Sequence, residues 1–349
     1  MRVRWIFFAT LLLAVVLPAA AQSGEELIVI GHDSFNFSAS VLEAFEEETG
    51  IRVTVLRLGD TGTMVNQAVL TRSNPLGDVL YGIDNTFLSR ALNADLFIPY
   101  ESPLLEFVDP EFIIDPELRV TPVDYGDVCL NYDVAFFAER NLPLPSTLAD
   151  LTDPMYAGLL VVQNPATSSP GLAFLLTTIA VFGENGEYTY LDFWRDLVAN
   201  DVFIADDWTD AYYGRFSGSG GDGTRPLVVS YASSPPAEVL FATEPLDAAP
   251  TGAIIAPNTC FRQIEFVGIL AGTQRLEAAQ QFVDFMLSRE FQEDLPLQMF
   301  VFPVNREAEL PEVFVEYALI PEQPITLEYD VIDENRQRWL TEWTETVLR

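Results

Sequence analysis

NPATSSPGLAFLL, residues 164–176, decides how the rest of the chain is read. An apolar run at 159–162 (LLVV) leads into it, two serines and a proline follow, and then an unbroken apolar stretch begins. Ser168 or Ser169 is therefore expected to cap a buried helix, with Pro170 at its first position, where a missing N–H costs nothing. A strand released into a helix start is the repeating unit of an α/β fold. Such a start also welcomes an anion, because its first backbone N–H groups lack helical partners and the helix dipole is positive there.

The same unit recurs three times near the beginning. LIVI at 27–30 ends in GHDSFNFS and hands the chain to a helix at 39–48, which Gly50 closes. IRVTVLRL at 51–58 alternates as a strand, and GDTGT at 59–63 opens a helix reaching about Arg72. DVLYGI at 78–83 is the third strand, with Asp84, Asn85 and Thr86 capping a helix at 87–93. Asp33, Asp60 and Asp84 thus stand at equivalent strand ends on one rim of a parallel sheet. Singly, each reads as a cap or turn residue; together they read as one wall of a cleft where open α/β sheets bind ligands.

Two long extended segments, 121–132 (TPVDYGDVCLNY) and 254–269 (IIAPNTCFRQIEFVGI), read as crossings between two lobes. A chain of 349 residues with 49% hydrophobic content exceeds what one core organises, so two lobes are expected. Between the crossings, DDWTDAY at 206–212 begins a helix, FSGSGGDGTR at 216–225 is a flexible turn, and LVVSY at 227–231 ends in a second serine-serine-proline. A short helix is expected at 148–155. After the second crossing come helices at 274–287 and 288–295, MFVFPV at 299–304 beside the cleft, and an amphipathic closing helix within 326–348 carrying Trp339 and Trp343.

Residues 1–21 carry Arg2 and Arg4, an apolar core and an Ala19-Ala20-Ala21 cleavage site, the form of a cleaved signal peptide, so a soluble exported protein is expected. The net charge is −34, with 52 acidic residues against 18 basic ones, all of them arginine. Such a field repels nucleic acid and anionic membrane and favours cationic partners. Cys129 and Cys260 are the only cysteines, which in an exported chain permits one disulfide or two buried thiols. With the single His32 they give no metal-ligand spacing, and neither a G-x-S-x-G elbow nor a nucleotide fingerprint is present. The residues argue against an enzyme, a metal site and a cofactor.

VIGHDSFNF, YGIDNTFL, QNPATSSPGLAFLL, DDWTDAY, VVSYASSP, QFVDFMLSREFQ and QMFVFPVN occur in an order and spacing that resembles the thiamine-binding substrate-binding proteins of ABC transporters. That family is close to the ferric-ion and polyamine receptors. The resemblance spans almost the whole chain beyond the signal, and PxTSxPG and WxxAY…SYxxSP are its most specific parts. It implies an α/β, two-lobed type II periplasmic binding protein, each lobe a mainly parallel sheet flanked by helices, joined by two hinge crossings. The lobes would comprise 27–122 with 262–312, and 123–261, with 313–349 as a C-terminal segment packed on one of them. The crossings lie side by side in such a fold, which implies a Cys129–Cys260 disulfide.

The implied function is a periplasmic receptor, monomeric, that takes thiamine or its mono- or diphosphate between the lobes and delivers it to a membrane permease. Carried over by position, the family's pocket falls on Asp33, Ser34, Asp60, Ser168, Ser169, Trp208, Tyr212 and Tyr231. Thiazolium is a cation suited to aromatic faces and carboxylates, so Trp208, Tyr231 and Phe300 would supply rings and Asp33 a charge. A phosphate tail would go to Ser168 and Ser169, shared with Asp60, Thr61 and Gly62; Asp84 adds to the acidic wall. The departures are His32 where tyrosine is usual, Thr61 for glycine, Ala237 for tyrosine and Phe300 for tryptophan. A polyamine or other organic cation is the alternative ligand, and ferric ion a weaker one, because Tyr231 lacks an adjacent second tyrosine.

Overall fold

The computed structural model describes residues 25–349, so the signal segment lies outside the described residues. Eleven strands among them form one sheet: β1 (Glu26–Gly31), β2 (Arg52–Arg57), β3 (Val79–Asp84), β4 (Phe97–Ile98), β5 (Thr121–Asp133), β6 (Leu160–Gln163), β7 (Phe203–Ala205), β8 (Leu227–Tyr231), β9 (Thr251–Ile254), β10 (Phe261–Leu270) and β11 (Phe302–Pro303). The order along the main path is β2-β1-β3-β10-β5-β8-β6-β7. β1, β2 and β3 are parallel at one end, and β6, β7 and β8 are parallel at the other, as repeated βα units require. This is the two-lobed arrangement expected of the fold class.

β5 and β10 run antiparallel between the two groups and belong to both. β5 pairs with β10 along its first half and with β8 and β9 along its second, while the far end of β10 pairs with β3 and β4. Val128 faces Phe261, and on the next rung Cys129 and Cys260 are joined as a disulfide with Cα atoms 4.3 Å apart. The same ladder sets Glu265 of β10 opposite Asp84 on one side and Asp124 on the other.

Burial explains the element choices. Every residue of β3 (VLYGID) is buried, because a parallel strand covered on both faces needs no polar alternation. Helix Ser169–Phe182 is buried on all sides as far as Ile179, in keeping with its continuous apolar run. The closing helix, Tyr329–Val347, docks Trp339 and Trp343 into the core, with Trp343 edge-on to Trp194 at 5.5 Å. Helix Ala39–Thr49 ends at Gly50, whose φ of 72° is the left-handed cap for which glycine is suited. No described helix is long and apolar enough to cross a membrane.

Three local expectations are corrected. The helix after β6 begins at Ser169 with Ser168 as its N-cap residue, as expected, but Pro170 is its second residue and the Ser168 side chain makes no capping hydrogen bond. Residues 148–155 form two 3₁₀ turns, Ala149–Thr152 and Pro154–Tyr156, because Asp153 is extended and Pro154 cannot continue a hydrogen-bonded helix across it. After Trp208 the chain winds as a π-helix, Asp210–Arg215, instead of an α-helix. Such single wide turns are rare and collect at functional sites.

Candidate functional site

One cavity gathers strand ends and helix starts from both ends of the sheet. His32 and Ser34 follow β1, Asp60 and Thr61 start helix Thr61–Leu70, and Glu265 reaches in from β10. Ser169 and Pro170, the Trp208–Tyr213 turn, the residues around Tyr231 and the 299–301 stretch complete the wall. The lining has carboxylates and one imidazole but no arginine.

Its acid side is a buried network. His32 Nε2 lies 3.5 Å from Glu265 Oε1, and both side chains are over nine-tenths buried. Burial opposes the imidazolium, but the Glu265 charge, with Asp60 and Asp84 behind, prevails and raises the His32 pKa above 6.5. Glu265 is likewise penalised by burial, yet His32, Tyr81 and Asp124 hold it below the usual carboxylate range. The Tyr81 hydroxyl sits between Asp124 Oδ2 and Glu265 Oε2, the latter at 3.1 Å. Burial and the Glu265 charge push Asp124 well above the usual carboxylate range, so of the two Asp124 is the one that favours the proton.

His32 fits only because Gly82 underlies it. A Cβ there would come within 2.1 Å of the imidazole Cδ2, and the φ of 88° independently favours glycine. Tyr231 makes a similar demand on Gly126, where a Cβ would meet its ring at 2.8 Å.

The aromatic side is equally fixed. Trp208 stacks on Tyr212 with centroids 5.0 Å apart and planes 14° from parallel, and Nε1 donates to Ser230 Oγ at 3.0 Å. Its backbone N–H donates to Asp60 Oδ2 at 3.2 Å, which ties the helix start after β2 to the segment after β7. Tyr231 donates to Gln263 Oε1 at 3.3 Å. Phe300 has a φ of 56°, unusual for a non-glycine residue, and its carbonyl accepts Ser233 Oγ at 2.6 Å. Backbone held in this region at a cavity wall is typical of ligand sites.

Of the residues singled out from sequence, His32, Ser34, Asp60, Thr61, Ser169, Trp208, Tyr212, Tyr231 and Phe300 line the cavity. Asp33, Asp84 and Ser168 do not. Asp33 is exposed and accepts the Gly59 N–H at 3.1 Å, because neighbouring His32 takes the inward direction. Asp84 lies one layer deeper, accepting Thr86 N–H at 2.6 Å, Gln263 Nε2 at 3.0 Å and the Ser169 hydroxyl. Burial raises its pKa to about 6. Ser168 Oγ is buried without a hydrogen-bond partner among the described residues. The helix start proposed for an anion is thus met by Asp84 at Ser169 and lies near Asp60, whose pKa burial also raises. Thr61 N–H and Gly62 N–H are spent on Asp60 Oδ1 and Thr167 O.

Glu265 and Gln263 escaped the sequence reading. Their signal was present: two polar side chains two residues apart in QIEFVGIL, on one face of an otherwise apolar strand. Tyr213 and Met299 also line the wall without having been singled out. Among the described residues no group of three or more His, Cys, Asp and Glu side chains could hold a metal ion.

The whole chain has close parallels among known proteins. A thiamine-binding periplasmic protein of Salmonella typhimurium is 28% identical over 352 residues, covering 98% of this chain and 99% of the relative. Its counterpart in Brucella abortus is 26% identical over 354 residues, covering all of both. A solved structure of a periplasmic thiamin binding protein superposes with a TM-score of 0.81 at 25% identity, over 96% of this chain and 100% of that one. Residues 74–335 match the family described as bacterial extracellular solute-binding protein, and it is to this family that the chain belongs.

Proposed function

We propose that this protein is an extracytoplasmic receptor that binds thiamine in its cavity and delivers it to an ABC permease, acting as a monomer and not as an enzyme. The observation that carries this reading is a buried cavity with an ionised Glu265, the Asp60 carboxyl and the stacked Trp208–Tyr212 pair, with no arginine in its lining. A permanent thiazolium cation gains from both kinds of wall, and an aminopyrimidine stacks and donates to a carboxylate or carbonyl. The names of the relatives support the same ligand. We assign residues 27–122 and 262–312 to one lobe and 123–261 to the other, with 313–349 packed against them and export directed by residues 1–21. Lobe closure about β5 and β10 would present the loaded form to the permease.

A ferric ion suits this cavity less well. The Tyr212 ring is stacked under Trp208 and the Tyr231 hydroxyl is engaged by Gln263, so tyrosine oxygens do not converge.

A thermal-shift titration tests the proposal, because a specific ligand stabilises only the folded receptor. Thiamine is expected to raise the melting temperature more than its mono- or diphosphate, since Asp60 and Asp84 meet the helix start where phosphate would sit. Spermidine and Fe³⁺ are expected to do little. No shift with any thiamine species at high micromolar concentration would sink the reading. Trp208→Ala removes one face of the aromatic wall and is expected to weaken thiamine binding about tenfold, by calorimetry, in line with a partly desolvated cation–π contact. An unchanged Kd would remove Trp208 from the site.

A further inference from the structure

Behind the helix start at Ser169 lies a second pocket of opposite character. It is lined by Asn66, Arg90, Ala166 and the face of the closing helix that carries Arg336 and Gln337, with Arg349 and Glu345 at its rim. Most arginines of this acidic chain sit against a carboxylate: Arg262 on Asp127 at 2.7 Å and Arg119 on Asp115 at 2.9 Å are examples. Arg90 and Arg336 form no ion pair among the described residues. Arg336 is only 8% exposed, and the Nε of Arg90 is buried with no partner. Burial and the adjacent Arg90 charge hold Arg336 below the ordinary guanidinium range, although Asp333 and Asp84 pull the other way.

Arg336 lies over the Phe87 ring at 5.3 Å and feels Asp333 and Asp84 only at a distance, so a buried and a half-buried cation side by side, with no carboxylate among the described residues in contact, favour an anion that joins them. The remaining donors agree. Asn66 and Gln337 bring amides, whereas the Thr341 and Thr344 hydroxyls are spent on Gln337 O at 2.8 Å and Leu340 O at 2.7 Å. The one acid in the lining, Glu345, is paired with Arg349 at 3.2 Å.

We propose that this pocket is a second binding site, for a small oxyanion of the phosphate class, held by the guanidinium groups of Arg90 and Arg336. Planar guanidinium forks match such oxygens with paired N–H donors. The occupant is a free ion and not a lipid headgroup, because a net charge of −34 repels an anionic membrane. Bound there, it ties the closing helix to helices Thr61–Leu70 and Leu88–Leu92 and braces Ala166, next to the loop that positions Ser169.

Thermal unfolding of the full exported chain in inorganic phosphate against sodium chloride of equal ionic strength tests this. Phosphate at ten times its Kd is expected to raise the melting temperature by about 2 °C. Arg90→Gln, at a half-buried position, is expected to abolish that response without lowering the basal melting temperature, while Arg90→Lys keeps part of it. Arg336→Gln is expected to behave alike; should it fail to fold, Arg90→Gln decides. Calorimetric thiamine binding stays unchanged in Arg90→Gln, and phosphatidylglycerol vesicles do not sediment the protein. Equal melting in phosphate and chloride, or a phosphate response that survives Arg90→Gln, overturns the site. Vesicle binding lost in Arg90→Gln overturns the free-ion assignment.

Discussion

Glu265→Gln is expected to weaken binding of the proposed ligand, thiamine, about a hundredfold at a pH above the raised His32 value, where the imidazole is neutral, while leaving the fold intact. The Glu265 carboxylate, held below the usual range, is the principal charge on the cavity wall, with Asp124, pushed up by burial, behind it and Tyr81 between them. A thiazolium about 6 Å away gains roughly 3 kcal/mol from such a charge at an effective dielectric of about 20, which is the hundredfold factor. Glutamine keeps the shape and removes the charge. It also relieves His32 of its partner, so at lower pH the imidazole is neutral in the variant and the difference between the two proteins shrinks. Stability should fall while His32 carries its proton, because one partner of a buried pair has been removed and the lowered Glu265 pKa shows that its charge stabilises the fold. Calorimetric titration at two pH values measures both effects. A Kd within threefold of the parent at high pH would show that Glu265 does not face the cation.

The sequence made the architecture readable because its signals were local. Strands at 27–30 and 78–83 ended in turn and cap residues that a βα unit needs, and the structure keeps each of them as β1 and β3. The disulfide was accessible only through the resemblance, which sets the two crossings side by side while the residues alone left two buried thiols equally open, and the β5–β10 ladder realises it. What was not readable depends on facing. His32 and Asp33 are adjacent, so only one can point inward, and no pattern says which; the Gly82 gap under the imidazole decides it. Glu265 was overlooked because one acid in a strand reads as a solvent-facing residue until the neighbouring strands are known to cover it on both sides. The π-helical turn that stacks Tyr212 under Trp208 has no local sequence signature of its own.

Binding should also tighten as the pH rises from 6.5 through the raised His32 value, with a proton released as a cation binds. In the empty cavity the Glu265 charge is answered by a protonated His32, whose pKa stands above 6.5 because Glu265, Asp60 and Asp84 outweigh the burial penalty. An incoming cation repels that proton, so binding favours the neutral imidazole and affinity climbs through the raised His32 pKa, by up to about tenfold per pH unit while His32 remains charged. Below that range Asp84, with a pKa pushed to about 6, adds a change of the same sign as it ionises. Stability of the empty protein runs the other way. A raised histidine pKa contributes stability fully present below 6.5 and lost as the pH passes the folded value, while the raised Asp60 and Asp84 values have the same sign but act from 3.8 upward, Asp84 up to about 6. The melting temperature of the free protein should therefore fall over the interval in which its affinity grows. Calorimetry near pH 7 in two buffers of different ionisation heat counts the released proton. His32→Gln should remove the proton release and flatten the profile above pH 6.5, leaving only the Asp84 step near 6. Thiamine binding with no proton exchange in the parent, or an unchanged profile in His32→Gln, would separate His32 from the cation while leaving thiamine as the ligand.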